Sequence, residues 1–194
     1  MAVKIFFPAA IAGLVLSGVA AWESPASAQQ SPSLAADSTF IQTASSLGLL
    51  QVKLGNLAAK KGSSPAVVEY GRRMVADYSK ANDTFAAAAK QAAFPSPVLI
   101  RQHQQLFDQF QGLGRSSFDK AYMAEMVKEH GEEVELFQKE SKDGRVQSLK
   151  QLASSMLPDL QQRLALATET ARSIGVQVAS VSPGADAGST SSGK

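Results

Sequence analysis

An all-α fold of four long helices packed side by side follows from three observations. Apolar residues recur at spacings of three and four from Asp37 to Ile174. No segment alternates apolar and polar residues with the two-residue period of a half-buried strand. Glycine or proline interrupts the pattern at 62, 95, 97, 112, 114 and 144, leaving long helices of ~24 to 30 residues. Stripes of that length are buried by lying alongside one another, and an up-down-up-down four-helix bundle is the economical solution. One short extra helix is expected between the second and third long ones.

The first helix opens at Asp37 or Ser38, either able to cap free N–H groups. It carries Phe40, Ala44, Leu47, Leu54 and Leu57 on one stripe and stops at Gly62. The second begins at Ser64-Pro65, a capping serine before a proline in the first helical position. Its seam runs through Val67, Gly71, Met74, Tyr78, Ala81, Phe85 and Ala88 until Pro95 and Pro97 forbid continuation. The short helix spans Val98 to Gln111 with Leu99, Leu106 and Phe110 as contacts, and it spares the fold a structureless link of more than ~15 residues. The third long helix starts near Ser116-Ser117 and buries Phe118, Tyr122, Met126, Val127, Val134 and Phe137 before Gly144. The fourth runs from about Val146 to Ser173, with Leu149, Leu152, Met156, Leu160, Leu164 and Ala167 inward and Pro158 kinking it midway.

Composition narrows the class. The chain has 194 residues, 44% hydrophobic and 19% charged, with 19 basic against 17 acidic side chains and no cysteine. These proportions exclude wholesale disorder and a polytopic membrane protein, and the well-mixed charges offer no nucleic-acid surface. Without cysteine there is no disulfide, thiolate metal site, cysteine nucleophile or lipid-modified N-terminal Cys. Lys4, the apolar run Ile5 to Ala21 and Ala26-Ser27-Ala28 read as a signal peptide over 1–28, which would remove Trp22. Residues 29–36 then form a linker, 37–174 the helical domain and 175–194 a disordered Gly/Ser/Ala tail. The mature chain is expected to be exported, periplasmic or envelope-associated, with no transmembrane segment.

Certain strings carry a resemblance. MVADYSKAND (74–83), FDKAYMAEMVKEH (118–130) and LKQLASSMLPDLQQRLALA (149–167) resemble the three signature segments of the family called domain of unknown function 4142. With DSTFIQTASSLGLLQVKLGNLAAKKG (37–62), the resemblance extends from Asp37 to about Ala171. It implies an exported protein with a ferritin-like four-helix bundle. Members are often labelled outer membrane proteins, a label at odds with the helical period found here. The resemblance further implies an inward-facing histidine in each signature segment, a metal constellation on three helices. This sequence has Tyr78 at the first of those positions and Arg163 at the third, and keeps only His130. Arginine has no lone pair to donate and brings a fixed positive charge.

The candidate site is therefore an interior polar cluster of Tyr78, His130 and Arg163, with Asp77 or Glu129 as counter-ion, and no metal or cofactor is expected. An alternative is a metal site of His130, Glu129 and Glu133. A di-iron centre of the ferritin kind needs Glu-x-x-His pairs, and Ile100 and Val127 stand three residues before His103 and His130. Glu125, Glu129, Glu132 and Glu133 read as a solvated face, and His103 as surface. There is no glycine-rich phosphate loop, nucleophile elbow or His-Glu-x-x-His, so no enzyme is expected. The function expected is an exported, non-catalytic bundle in a binding or stress-associated role, its partner unknown: a small ligand or an envelope protein. The alternatives are a metal-binding ferritin-like protein and a structural or interaction module at the envelope.

Overall fold

The computed structural model describes residues 32–178, so the expected signal peptide and all but the first four residues of the expected tail lie outside the described residues. Among the described residues there are five helices and no strand: α1 Pro32–Lys61, α2 Pro65–Gln91, α3 Arg101–Gly112, α4 Arg115–Asp143 and α5 Gln147–Ser173. None is long and apolar enough to cross a membrane. The buried seams follow the expected stripes closely. Phe40, Ala44, Leu54, Val67, Met74, Tyr78, Phe85, Phe118, Tyr122, Met126, Phe137, Leu149, Leu160 and Ala167 all lie in one continuous core.

The α1–α2 pair is antiparallel and close. A Cβ on Gly71 would lie 2.7 Å from the Gly55 carbonyl oxygen, so two backbones meet there with no room for a side chain. Gly48, further back on α1, faces Asn82 and Phe85. Across the molecule, α4 and α5 form a second hairpin, and α1 packs on α4 while α2 packs on α5.

Two aspartates fix how the hairpins meet. Asp37, near the start of α1, accepts the backbone N–H of Arg145 at 3.1 Å and of Val146 at 2.7 Å, which cap α5. Asp119, near the start of α4, accepts those of Ser63 at 3.1 Å and Ser64 at 2.7 Å, which cap α2. A carboxylate against a helix N-terminus satisfies orphan donors and complements the helix dipole. Asp37 thus caps α5 and not its own helix, which begins earlier, at Pro32. The Ser64 side chain makes no cap bond; Asp119 takes that role.

These contacts place the start of α1 beside the end of α4, and the start of α4 beside the end of α1. The four long helices therefore do not strictly alternate: α1 and α5 run one way, α2 and α4 the other. The reason is the link. The chain leaves α2 at one end of the bundle and must enter α4 at the other, so α3 runs lengthwise along α1. His103 meets Ser46, Lys53 sits 4.4 Å above the Phe107 ring, and Lys61 donates to the Gln111 carbonyl at 2.8 Å. His103 is accordingly buried, not on the surface: its Nδ1 is 2.6 Å from the Ser46 hydroxyl, which also accepts the Ile100 N–H at 2.9 Å.

At the other terminus, order continues past the expected boundary. Gly175 adopts φ 74°, the Val176 N–H bonds back to the Ala171 carbonyl at 2.9 Å, and Val176 and Val178 pack on the core. This left-handed helix end with a wrap-back bond holds apolar residues against the bundle.

Candidate functional site

His130 lies on the buried stripe of α4 with Met126, Glu133 and Phe137, positions 126, 130, 133 and 137 sharing one face. Its Nδ1 is 2.8 Å from the Met126 carbonyl, which can only accept. Nδ1 therefore carries the proton, and the Nε2 lone pair faces the Tyr78 hydroxyl at 3.4 Å. That hydroxyl donates to Glu133 Oε2. Burial disfavours a positive imidazole, and with the Arg163 charge nearby His130 is pushed down to about 4.

Arg163 closes the cluster from α5. Its guanidinium lies 4.8 Å from the centre of the Tyr78 ring, a cation–π contact, and its Nε is 3.9 Å from Asp77 Oδ2. Asp77 is shared with Arg73 at 3.6 Å. The Arg163 side chain is 11% exposed and forms the wall between the interior and a groove of about 410 Å³ between α2 and α5. Lys80, Thr84, Met156 and Asp159 line that groove. Glu133 is pushed up to about 7 by burial, against the opposing pull of the Tyr78 bond and the Arg163 charge.

The expected trio of Tyr78, His130 and Arg163 does converge, with Asp77 as the counter-ion. Glu129 does not join it: it is held by Lys128 at 3.4 Å on the flank of α4. Burial first, then Glu125, pushes Glu129 up to about 7. Glu133, named only as a metal ligand in the alternative, belongs at the centre. The face expected to be solvated is split, with Glu129 and Glu133 buried and Glu132 exposed.

Three residues at this level are not among the expected site residues: Gln51, Tyr70 and Tyr122, the two tyrosines falling at core spacings in the sequence. Gln51 is buried, and neither amide atom has a hydrogen-bond partner. The α1–α2 register, with Gly48 against Asn82 and Gly55 against Gly71, puts Gln51 level with Tyr78. Tyr70 packs edge-on against His130 at 6.4 Å and against Tyr122 at 6.0 Å, and both hydroxyls lack a partner. Burial pushes Tyr70, Tyr78 and Tyr122 all well up. A polar Gln51 between Leu47 and Leu54 on an apolar stripe was the readable signal.

The family described as "Domain of unknown function (DUF4142)" matches residues 23–170. The chain belongs to this family. No curated protein and no solved structure matches it. In this member of domain of unknown function 4142, the positions where the resemblance implied three histidines do meet. The donor set does not suit a metal, because the Arg163 guanidinium takes the space beside Tyr78 and Glu133 with a permanent positive charge. The Tyr78 hydroxyl proton is moreover engaged by Glu133.

Proposed function

We propose that this chain is an exported, non-catalytic helical bundle of the cell envelope or periplasm, ferritin-like in arrangement, with a binding or stress-associated role. The observation that carries the reading is the centre of the bundle: the Tyr78 hydroxyl donates to Glu133 against the His130 ring and under Arg163, leaving no nucleophile poised for a substrate. The lengthwise crossover between α2 and α4 supports the ferritin-like arrangement, since such folds have one long connection. The leader-like sequence over 1–28 supports export. A binding role has a place in the α2–α5 groove, whose lining sets Lys80 and Arg163 beside Asp77 and Asp159 and so offers both signs of charge to a small polar ligand.

Intact-mass measurement of the periplasmic fraction tests the export reading. A chain beginning at Gln29 is expected, and full-length protein in the inner membrane would overturn it. Calorimetric titration with Zn²⁺ tests the site. The protein as it stands should bind no more tightly than an exposed histidine does, while Tyr78→His with Arg163→His should create a site that weakens as pH falls, because neutral imidazole is the ligand. Tight binding lost on His130→Ala would instead establish the metalloprotein alternative.

A further inference from the structure

The chain has three tyrosines, all three are buried, and two of them pack on His130. Starting at the end of the bundle where α3 closes, Phe110 meets Phe118 at 6.2 Å and Phe118 stacks on Tyr122 at 5.4 Å. Tyr122 meets Tyr70 at 6.0 Å. Tyr70 packs on His130 at 6.4 Å, and Tyr78 on the same ring at 6.0 Å. This is a continuous aromatic column from the bundle end to its centre, with ring gaps that electrons cross readily by tunnelling.

The three phenols are not equivalent. Removing an electron from a phenol makes its O–H strongly acidic, so oxidation is accessible only where a base stands ready for the proton. The Tyr70 and Tyr122 hydroxyls have no partner at all. Tyr78 alone donates to a carboxylate, Glu133 Oε2. Arg163, 4.8 Å from the ring centre, makes positive charge on that ring costly. Electron loss at Tyr78 must then come with proton loss, and the product is neutral. No cysteine is present to intercept the charge, and the single tryptophan, Trp22, precedes the helical body.

We propose that Tyr78 is a proton-coupled redox residue: a one-electron oxidant at the bundle surface draws an electron out through the aromatic column, and the oxidising equivalent settles on Tyr78. The step balances as follows. The Tyr78 O–H bond breaks, its proton passes to Glu133 Oε2 to give the neutral carboxylic acid, one electron reduces the oxidant, and a neutral tyrosyl radical remains. The reacting class is a diffusible one-electron oxidant, such as an inorganic radical, and the protein acts as a sink for it. Tyr78 is 0% exposed, so the radical is shielded from coupling with a second molecule. This inference needs neither the export nor the small-ligand reading above.

The test uses the full chain carrying Trp22→Phe, at a pH above that at which Glu133 ionises, with photogenerated tris(bipyridine)ruthenium(III) as oxidant. Electron paramagnetic resonance and flash absorption read the radical. A tyrosyl signal is expected that decays at least about tenfold more slowly than that of free tyrosine amide, a difference of ~1.4 kcal/mol in barrier. Tyr78→Phe, which keeps the ring and its packing, should abolish the long-lived signal. Glu133→Gln, which accepts the hydrogen bond but not the proton, should lower its yield and remove the solvent deuterium isotope effect on its formation. Thermal melts identify any variant that fails to fold. The proposal is overturned if folded Tyr78→Phe gives the same signal, or if oxidation goes to methionine sulfoxide at Met74, Met123 or Met126 with no tyrosyl signal, since that is a separate oxygen-transfer chemistry.

Discussion

A shift of 82 residues, the step from Asp37 to Asp119, carries the α1–α2 hairpin onto the α4–α5 hairpin. It takes Gly62 to Gly144 at the two turns, Val67 to Leu149 and Met74 to Met156 on the seams, and Ala93 to Gly175 at the two helix ends. The two aspartate caps repeat the same distances, and both ends close with a wrap-back bond of 2.9 Å, Phe94 to Ala89 in one and Val176 to Ala171 in the other. The hairpins share a scaffold and differ in what they place at the centre. Where the second has His130, Glu133 and Arg163, the first has Gly48, Gln51 and Ala81. Tyr78 and Tyr70 run the other way, with Leu160 and Leu152 as their counterparts. Most of the charge comes from the second hairpin, while the first contributes small or neutral side chains, the phenol and the counter-ion Asp77. The bulk is likewise complementary: Phe85 corresponds to Ala167 and Phe137 to Gly55, so one large ring from each hairpin fills the middle, 6.0 Å apart.

That shared packing gives the largest expected effect. Phe85→Ala and Phe137→Ala should each cost about 3 to 5 kcal/mol in chemical unfolding, by transfer loss and residual cavity. The double variant should cost less than the sum, because the two changes open one space. Additive costs would mean that the rings belong to separate cores.

The centre itself distinguishes the hairpins by pH. Glu133 has its folded pKa raised from 4.5 to about 7, so its stabilising share is full below 4.5 and is lost as pH rises through about 7. His130 has its folded pKa lowered from 6.5 to about 4, so its share is full above 6.5 and is lost as pH falls through about 4. Glu133→Gln makes the position like Gln51. It should gain on the order of 3 kcal/mol over the parent between acid and alkaline conditions, the scale of a shift of this size. Urea melts across the pH range check this; a constant difference between the two proteins would break the comparison at its chemical centre.

The caps come next. Asp37→Ala and Asp119→Ala should each cost about 1 to 2 kcal/mol, by equal amounts if the two hairpins are truly equivalent. The smallest effect is at the helix ends. Ala93 holds φ 56° where its counterpart is Gly175 at φ 74°. Ala93→Gly should stabilise the fold by about 1 kcal/mol or less, since relief of left-handed strain outweighs the added freedom of the unfolded chain. A loss of stability on thermal melting would mean that the turn at 93 is not the equivalent of the one at 175.

Much of this was legible in the sequence, for identifiable reasons. The seams of α2 and α4 are long, strongly periodic stripes, and periodicity reports burial directly. Tyr78, His130 and Arg163 come together in the sequence only through the resemblance, which implies an inward-facing histidine at each of those three positions. Glu133 was obscured by its neighbours, since four glutamates within nine residues of α4 resemble a solvated face unless the register is followed from Met126 through His130. Helix direction was not legible: local periodicity says nothing of which end of α2 the link leaves or where α4 begins. The aspartate caps were hidden for the same reason, because the N–H groups they satisfy lie on turns in the other hairpin. Asp37-Ser-Thr-Phe40 and Asp119-Lys-Ala-Tyr122 carried the internal repeat in plain view.

The crossed caps have a consequence for assembly. Neither hairpin contains the carboxylate that finishes its own second helix; each must borrow it from the other. A hairpin forming alone leaves the first N–H groups of α2 or α5 without this partner, and its second helix frays from the start. Closure supplies both carboxylates in a single docking event, so the last turns of helix and the interface between hairpins form together. The fold is in this respect a mutual lock, and its two halves gain order as a pair.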